Sequence, residues 1–246
     1  MEDRTRASDA YAVLTDAGEL VFFRSEESYE TGKIARVHDV MDVEHEGVVF
    51  AGVETEQWSI DNLPDWYFTT FSYARIADGQ AIAPVSCSHW FKGQYKMVGC
   101  DLEGLNTSKV TDMSSMFECC ESLVAPPDTS RWDTSSVTDM KSMFYDCTSL
   151  TTPPDTSRWD TSNVKDMSEM FWGCESLVAP PDTSAWDTSE VENTRYMFYD
   201  CESLATPPNT SKWDTSSIRF ADNMFTHCRS FDSTPPDISS LNDPIR

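Results

Sequence analysis

Cys87-Ser88-His89 sets a thiol, a hydroxyl and an imidazole side by side, the side chains most used as nucleophiles and bases. Catalytic partners must meet in space and need not be chain neighbours, so this tripeptide reads as a linker. His38 and His45 stand among Asp39, Asp42, Glu44 and Glu46, yet their spacing fits no metal-ligand pattern. A solvated acidic loop is the expected result, with no metal. There is no Gly-rich phosphate loop, no His-Glu-x-x-His, no nucleophile elbow and no Cys-x-x-Cys. The chain is therefore expected not to be an enzyme and to need no cofactor.

Recurring residues carry more information. Asp133, Asp160, Asp187 and Asp214 fall 27 residues apart, as do Trp132, Trp159, Trp186 and Trp213. Asp128, Asp155 and Asp182 form a second acidic column that Asn209 interrupts. Two carboxylates ~5 Å apart repel by ~0.8 kcal/mol in water and by ~3 kcal/mol at an effective dielectric of about 20. Bonds from backbone N–H groups at turns would offset this. Arg131, Arg158 and Lys212, or calcium, are the other candidates. These Trp and Asp residues are the expected partner-binding set, the indoles as anchors and the carboxylates for steering.

The same period runs through Phe117, Phe144, Phe171, Phe198 and Phe225, and through Cys120, Cys147, Cys174, Cys201 and Cys228. A fixed period of this length makes each copy one supersecondary unit that stacks on its neighbours to bury a core. In the copy from Pro126 to Thr152, two prolines force an extended entry. A short strand or extended rung is expected around Asp128 to Trp132. Ser135 or Ser136 then offers an N-cap with Asp139 as a capping-box partner. Val137, Met140, Met143, Phe144 and Cys147 follow at helical spacing. The expected fold is an α/β repeat solenoid, leucine-rich-repeat-like, with one extended rung and one short helix per coil. Five to six coils fill residues 86–246, with a faint leading coil at Trp90-Phe91. Residues 1–85 form a small β-rich N-terminal cap: a hairpin of Tyr11 to Leu14 and Leu20 to Phe23, with strands at Glu46–Ala51 and Trp66–Tyr73. An alternative for this part is a binding domain built on Trp58, Trp66, Tyr67 and Phe68.

Column cysteines point in parallel and read as buried packing thiols. Cys87, Cys100 and Cys119 lie off the column and are the bridge candidates. The formal net charge of −24 argues against direct nucleic-acid binding and against anionic membrane surfaces. It favours a basic protein partner. No run approaches the ~20 apolar residues of a membrane span. Met1-Glu2-Asp3-Arg4 lacks the apolar core of a secretory signal, so the location is cytoplasmic if Met1 is the native start.

The string Leu105-Asn106-Thr107-Ser108-Lys109-Val110-Thr111-Asp112-Met113-Ser114-Ser115-Met116-Phe117 and its later copies resemble the repeat of BspA-like leucine-rich-repeat surface proteins. That repeat runs W/F-D-T-S-N-V-T-x-M-x-x-M-F-x-x-C-x-x-L, and the likeness covers about 85 to 246. It implies a bacterial cell-surface or secreted protein whose solenoid mediates adhesion or protein binding without catalysis. Ala125-Pro126-Pro127-Asp128 departs from the family's apolar strand, so a weak ladder is expected there. A rival reading, from the net charge, the acidic columns and the missing secretory signal, is a cytoplasmic acidic inhibitor that mimics nucleic acid and blocks a nucleic-acid-binding protein.

Overall fold

The computed structural model describes residues 11–15, 17–23, 48–50, 69–77, 79 and 81–231. Strands β1 (Tyr11–Leu14) and β2 (Glu19–Phe23) form the expected hairpin. Gly18 makes its turn with φ of 75°, a conformation that costs glycine little. Strand β3 (Val48–Phe50) pairs antiparallel to β1. Strand β4 (Tyr73–Ile76) lies parallel to β2, and β5 (Gly99–Asp101) lies parallel to β4. The strand expected at Trp66–Tyr73 is instead β4, which begins where that stretch ends. Trp58, Trp66, Tyr67, Phe68, His38 and His45 lie outside the described residues.

The sheet order is β3-β1-β2-β4-β5, and its parallel end turns into the solenoid. From β4 to β5 the register steps by 26 residues, Tyr73 onto Gly99. Beyond it, one residue per coil keeps a parallel bridge: Asp112 to Asp139, Asp139 to Asp166, Asp166 to Asn193 and Asn193 to Phe220.

The apolar residues read as a helix face are buried, yet no helix forms among the described residues. The reason lies in two left-handed residues per coil, four apart. They are His89 and Gly93, Ser115 and Cys119, Ser142 and Asp146, Glu169 and Gly173, Tyr196 and Asp200, and Asn223 and His227. Each interrupts the right-handed path, so the segment becomes a run of tight turns. Alternate amides then serve two purposes. Met116, Glu118 and Cys120 donate N–H three residues back within the coil, at 3.2–3.4 Å. Met113, Ser115, Phe117 and Cys119 donate to Asp139, Lys141, Met143 and Tyr145 of the next coil, at 2.7–2.9 Å. A helix satisfies its interior amides internally and could not join coils this way. A non-glycine left-handed residue costs roughly 1–2 kcal/mol, which the added inter-coil bonds offset. Asp139 accordingly caps no helix; its Oδ1 accepts the Lys141 N–H at 2.8 Å.

The rung is closed by side chains. Thr129 and Thr134 donate hydroxyl bonds to the Asp155 and Asp160 carbonyls, at 2.7 and 2.9 Å, and the following coils repeat both. No strand forms from Asp128 to Trp132. Prolines 126 and 127 supply no N–H, and threonine hydroxyls replace the ladder.

Inside, the Phe rings of consecutive coils stack from Phe91 to Phe225 at 5.1–5.8 Å. The leading coil is therefore a full member of the stack. The sheet plugs the open end, with Phe22 stacked on Trp90 at 5.1 Å and Phe71 edge-on to Phe91. One core runs from Ala12 to Phe225.

All eight cysteines are free, which corrects the expectation of a bridge among Cys87, Cys100 and Cys119. Each column thiol donates Sγ–H to the Phe carbonyl of the coil before, at 3.1 Å. Burial raises the pKa of every one of them. Cysteine fits because the site needs a small apolar side chain with one weak donor.

Candidate functional site

Two sides of the coil present repeated side chains to solvent. On the rung side, Asp133, Asp160, Asp187 and Asp214 are all exposed. Their Oδ1 atoms accept the N–H of the serine two residues on, at 2.9–3.0 Å. For Asp133 and Asp160 the same serine's hydroxyl adds a bond of 2.6 Å. The second column, Asp128, Asp155 and Asp182, is fixed the same way at 2.9–3.0 Å. The serine hydroxyl and backbone bonds hold all seven carboxyls below the ordinary carboxylate range. Turn bonding thus stabilises the ionised ladder, and Arg131, Arg158 and Lys212 add smaller attractions. Each carboxylate is held rigid, charged and open to a partner.

The indoles beside them are not open. Trp132, Trp159 and Trp186 are 3% exposed and Trp213 is 8% exposed. Trp186 stacks on Trp213 at 6.3 Å within the wall. This corrects the expectation of a Trp platform on the rung. The large ring is what fills the space between the extended segment and the Phe stack, so the column is core.

The aromatic surface lies on the turn side. Tyr145, Trp172 and Tyr199 occupy one repeat position, each half-buried, with ring centroids 5.4 and 4.5 Å apart. Tyr196 packs on Trp172 at 4.9 Å, and His227 closes the row 4.9 Å from Tyr199. The signal was present as a second aromatic period at 27 residues, masked by the helix reading of the segment. Acidic groups border the row: Asp146 is pushed up by partial burial and by Glu121 and Glu118, and Asp200 bonds His227 Nδ1 at 2.9 Å.

Lys141, Glu169 and Arg195, on the turn side, join neighbouring coils. Lys141 approaches Glu169 at 3.9 Å, and Arg195 pairs with Asp222 while lying over Tyr196 and Phe220. Lys92–Glu118, Arg219–Glu192 and Arg229–Glu202 repeat the pattern at 2.8–3.4 Å.

Cys87-Ser88-His89 is no linker; it forms the turn of the leading coil. Ser88 Oγ lies 2.6 Å from His89 Nδ1 and 3.0 Å from Ser114 Oγ. Cys87 and Ser88 are fully buried. Burial raises the Cys87 thiol and lowers the His89 imidazole, so neither takes its charged form at neutral pH. Among the described residues no group of three or more His, Cys, Asp or Glu is placed to hold a metal ion. No helix among them is long and apolar enough to cross a membrane.

Stacked coils closed by a sheet define a repeat-protein solenoid. The chain belongs to the family described as "Mycoplasma protein of unknown function, DUF285", which it matches over residues 85–207 and again over 155–242. Among solved structures it is similar to a T. pallidum leucine-rich-repeat protein (TpLRR). Sequence identity is 17% and the TM-score 0.41, over 70% of this chain and 84% of that one. That likeness is too loose to bear on function. No curated protein matches the chain.

Proposed function

We propose that the solenoid is a non-enzymatic protein-binding module whose turn side anchors a basic partner and whose rung side steers it. The observation that carries this reading is the row Tyr145, Trp172 and Tyr199, half-exposed and stacked across three coils. Tyr and Trp are the side chains most often found as binding hot spots. Rings already stacked lose little freedom on contact. The Asp columns extend this with charges held in place by their own turns, which favours rapid encounter over affinity. In an adhesin at a bacterial surface, the setting that the BspA-like resemblance implies, such a face would grip several coils' worth of partner at once.

The Asp columns also support the second reading, an acidic inhibitor mimicking nucleic acid. Two carboxylates per coil at the 5.1–5.5 Å stacking distance of the central Phe rings give one charge per roughly 2.6 Å, against one per ~1.7 Å of duplex DNA. Pull-downs from host surface extracts and from nucleic-acid enzymes, with wild type and variants, separate the two. An adhesin loses its partner in Trp172→Ala and is little affected by salt. A mimic loses it in Asp160→Asn with Asp187→Asn, and its binding falls steeply as salt rises. A confirmed partner indifferent to both sets of changes would exclude both faces.

A further inference from the structure

The first junction of the rung wall differs from every later one among the described residues. Elsewhere two threonine hydroxyls per coil close the wall onto the next. Between the coil of Phe117 and the coil of Phe144, the first and second coils after the leading one, both bonds are missing. Leu102 stands where Thr129 stands one coil on and has no donor. Thr107, the counterpart of Thr134, is 1% exposed and its Oγ1 finds no partner. Leu105 replaces the column Trp, and Gly104 sits where the next coil has Arg131. A cavity of about 450 Å³ opens at this place, lined by Leu102, Gly104, Leu105, Thr107 and Arg131 among others.

Its chemistry is uneven. Leu102, Leu105 and Trp132 make an apolar floor. Asp101, Glu103, Asp128 and Asp133 line it against one cation, Arg131, which reaches Glu103 at only 3.9 Å in a largely exposed pair. Asp101, Asp128 and Asp133 each commit Oδ1 to a local turn N–H, at 2.9–3.0 Å. Among the described residues no donor reaches their second oxygens. The carboxylates do not converge closely enough to hold a bare metal ion. A neutral ligand would leave the excess negative charge unanswered. An organic cation answers both the acidic rim and the apolar floor, because its stem covers leucine while its head meets carboxylate.

We infer that the cleft between the first and second coils binds a guanidinium or ammonium group borne on a short alkyl stem. The head sits among the carboxylates of Asp101, Asp128 and Asp133, and the stem lies on Leu105 and Trp132, above the buried and unpartnered Thr107. The group can come from a free small molecule or from an Arg or Lys side chain of a protein. In the second case the inference rests on the protein-binding function proposed above.

The test is an NMR titration of the intact, isotopically labelled protein with two probes. One is L-argininamide, and the other is a glycine-flanked arginine peptide blocked at both ends. The expected result is saturable shifts centred on Thr107, Leu105 and the Trp132 indole. A response to argininamide alone marks a small-molecule site, and a response to the peptide marks a side-chain site. Leu102→Thr with Leu105→Trp installs the residues that later coils carry, closes the wall and should abolish the shifts. Should that variant fold poorly, Asp128→Asn with Asp133→Asn keeps the turns and should weaken binding about tenfold or more. Absence of saturable shifts at millimolar probe would overturn the inference. So would equal binding of N-acetylglucosamine, or binding unchanged in the Asn variant. Leu102→Thr with Leu105→Trp leaves the aromatic row and both Asp columns untouched, so in that variant loss of the cleft and loss of partner capture remain separate readings.

Discussion

The rung and turn sides of one coil solve the same problem with different groups. Both must bond to the next coil, because a single coil buries too little to fold alone. The turn side uses backbone amides, released by two left-handed residues per coil. The rung side has prolines and uses threonine hydroxyls instead. A backbone ladder tolerates almost any outward side chain, so the turn side is free to vary and acquires its aromatic row. A side-chain ladder fixes residue identity, and Asp-Thr-Ser recurs on the rung almost unchanged.

The largest expected effect tests the core that both sides share. Phe171→Ala, in a central coil, should cost ~3–5 kcal/mol as a buried large-to-small change. Phe225→Ala should cost less, since Phe225 is 9% exposed near the end of the stack. Equal losses in denaturant melts would contradict a stack that weakens toward its end.

Next comes the rung. Thr161→Val keeps the shape but leaves the Asp187 carbonyl without its hydroxyl donor, a loss of about 1–3 kcal/mol. Thr161→Ser should recover most of it. If valine is tolerated as well as serine, hydroxyl closure of the rung is wrong and the comparison collapses.

A third change sharpens the turn side. Burial, helped by Asp112 and Asp166, pushes the Asp139 carboxyl up to about 6 from 3.8. The folded protein therefore holds this proton more tightly than the unfolded chain does. Its contribution is fully favourable below pH 3.8 and is lost as pH rises through 6. Asp139→Asn should stabilise the protein at pH 7 by on the order of 1–2 kcal/mol and flatten the melting profile between pH 4 and 6. Asn193 already occupies this column and keeps the turn bond to Arg195. A variant less stable than wild type at pH 7 would mean that the ionised carboxylate is needed there.

The smallest effect is kinetic. Cys147, Cys174 and Cys201 should react slowly with thiol reagents when folded and freely once unfolded. They are buried, protonated and bonded to Phe carbonyls. Recovery of a Cys147–Cys174 bridged peptide would require coils to shift against one another.

The sequence by itself determined the period, the columns and the core. Phe144, Met143, Cys147 and Leu150 had to be inside because apolar residues recurring once per coil can be buried only by stacking. It also determined the turn bonding of the Asp columns, since Asp-Thr-Ser closes such turns locally. Only the tertiary structure decided the backbone between Met140 and Cys147. The i, i+3, i+4, i+7 spacing suits a helix and a run of tight turns equally, and the turns win because they leave alternate amides for the neighbouring coil. Gly173, Asp146 and Asn223, residue types that tolerate positive φ, were the faint local sign of it. Tertiary structure also decided which aromatic column faces solvent. A Trp every 27 residues can line a wall or stand on it. The choice depends on how much space the extended rung leaves above the Phe stack, a distance that no single coil contains.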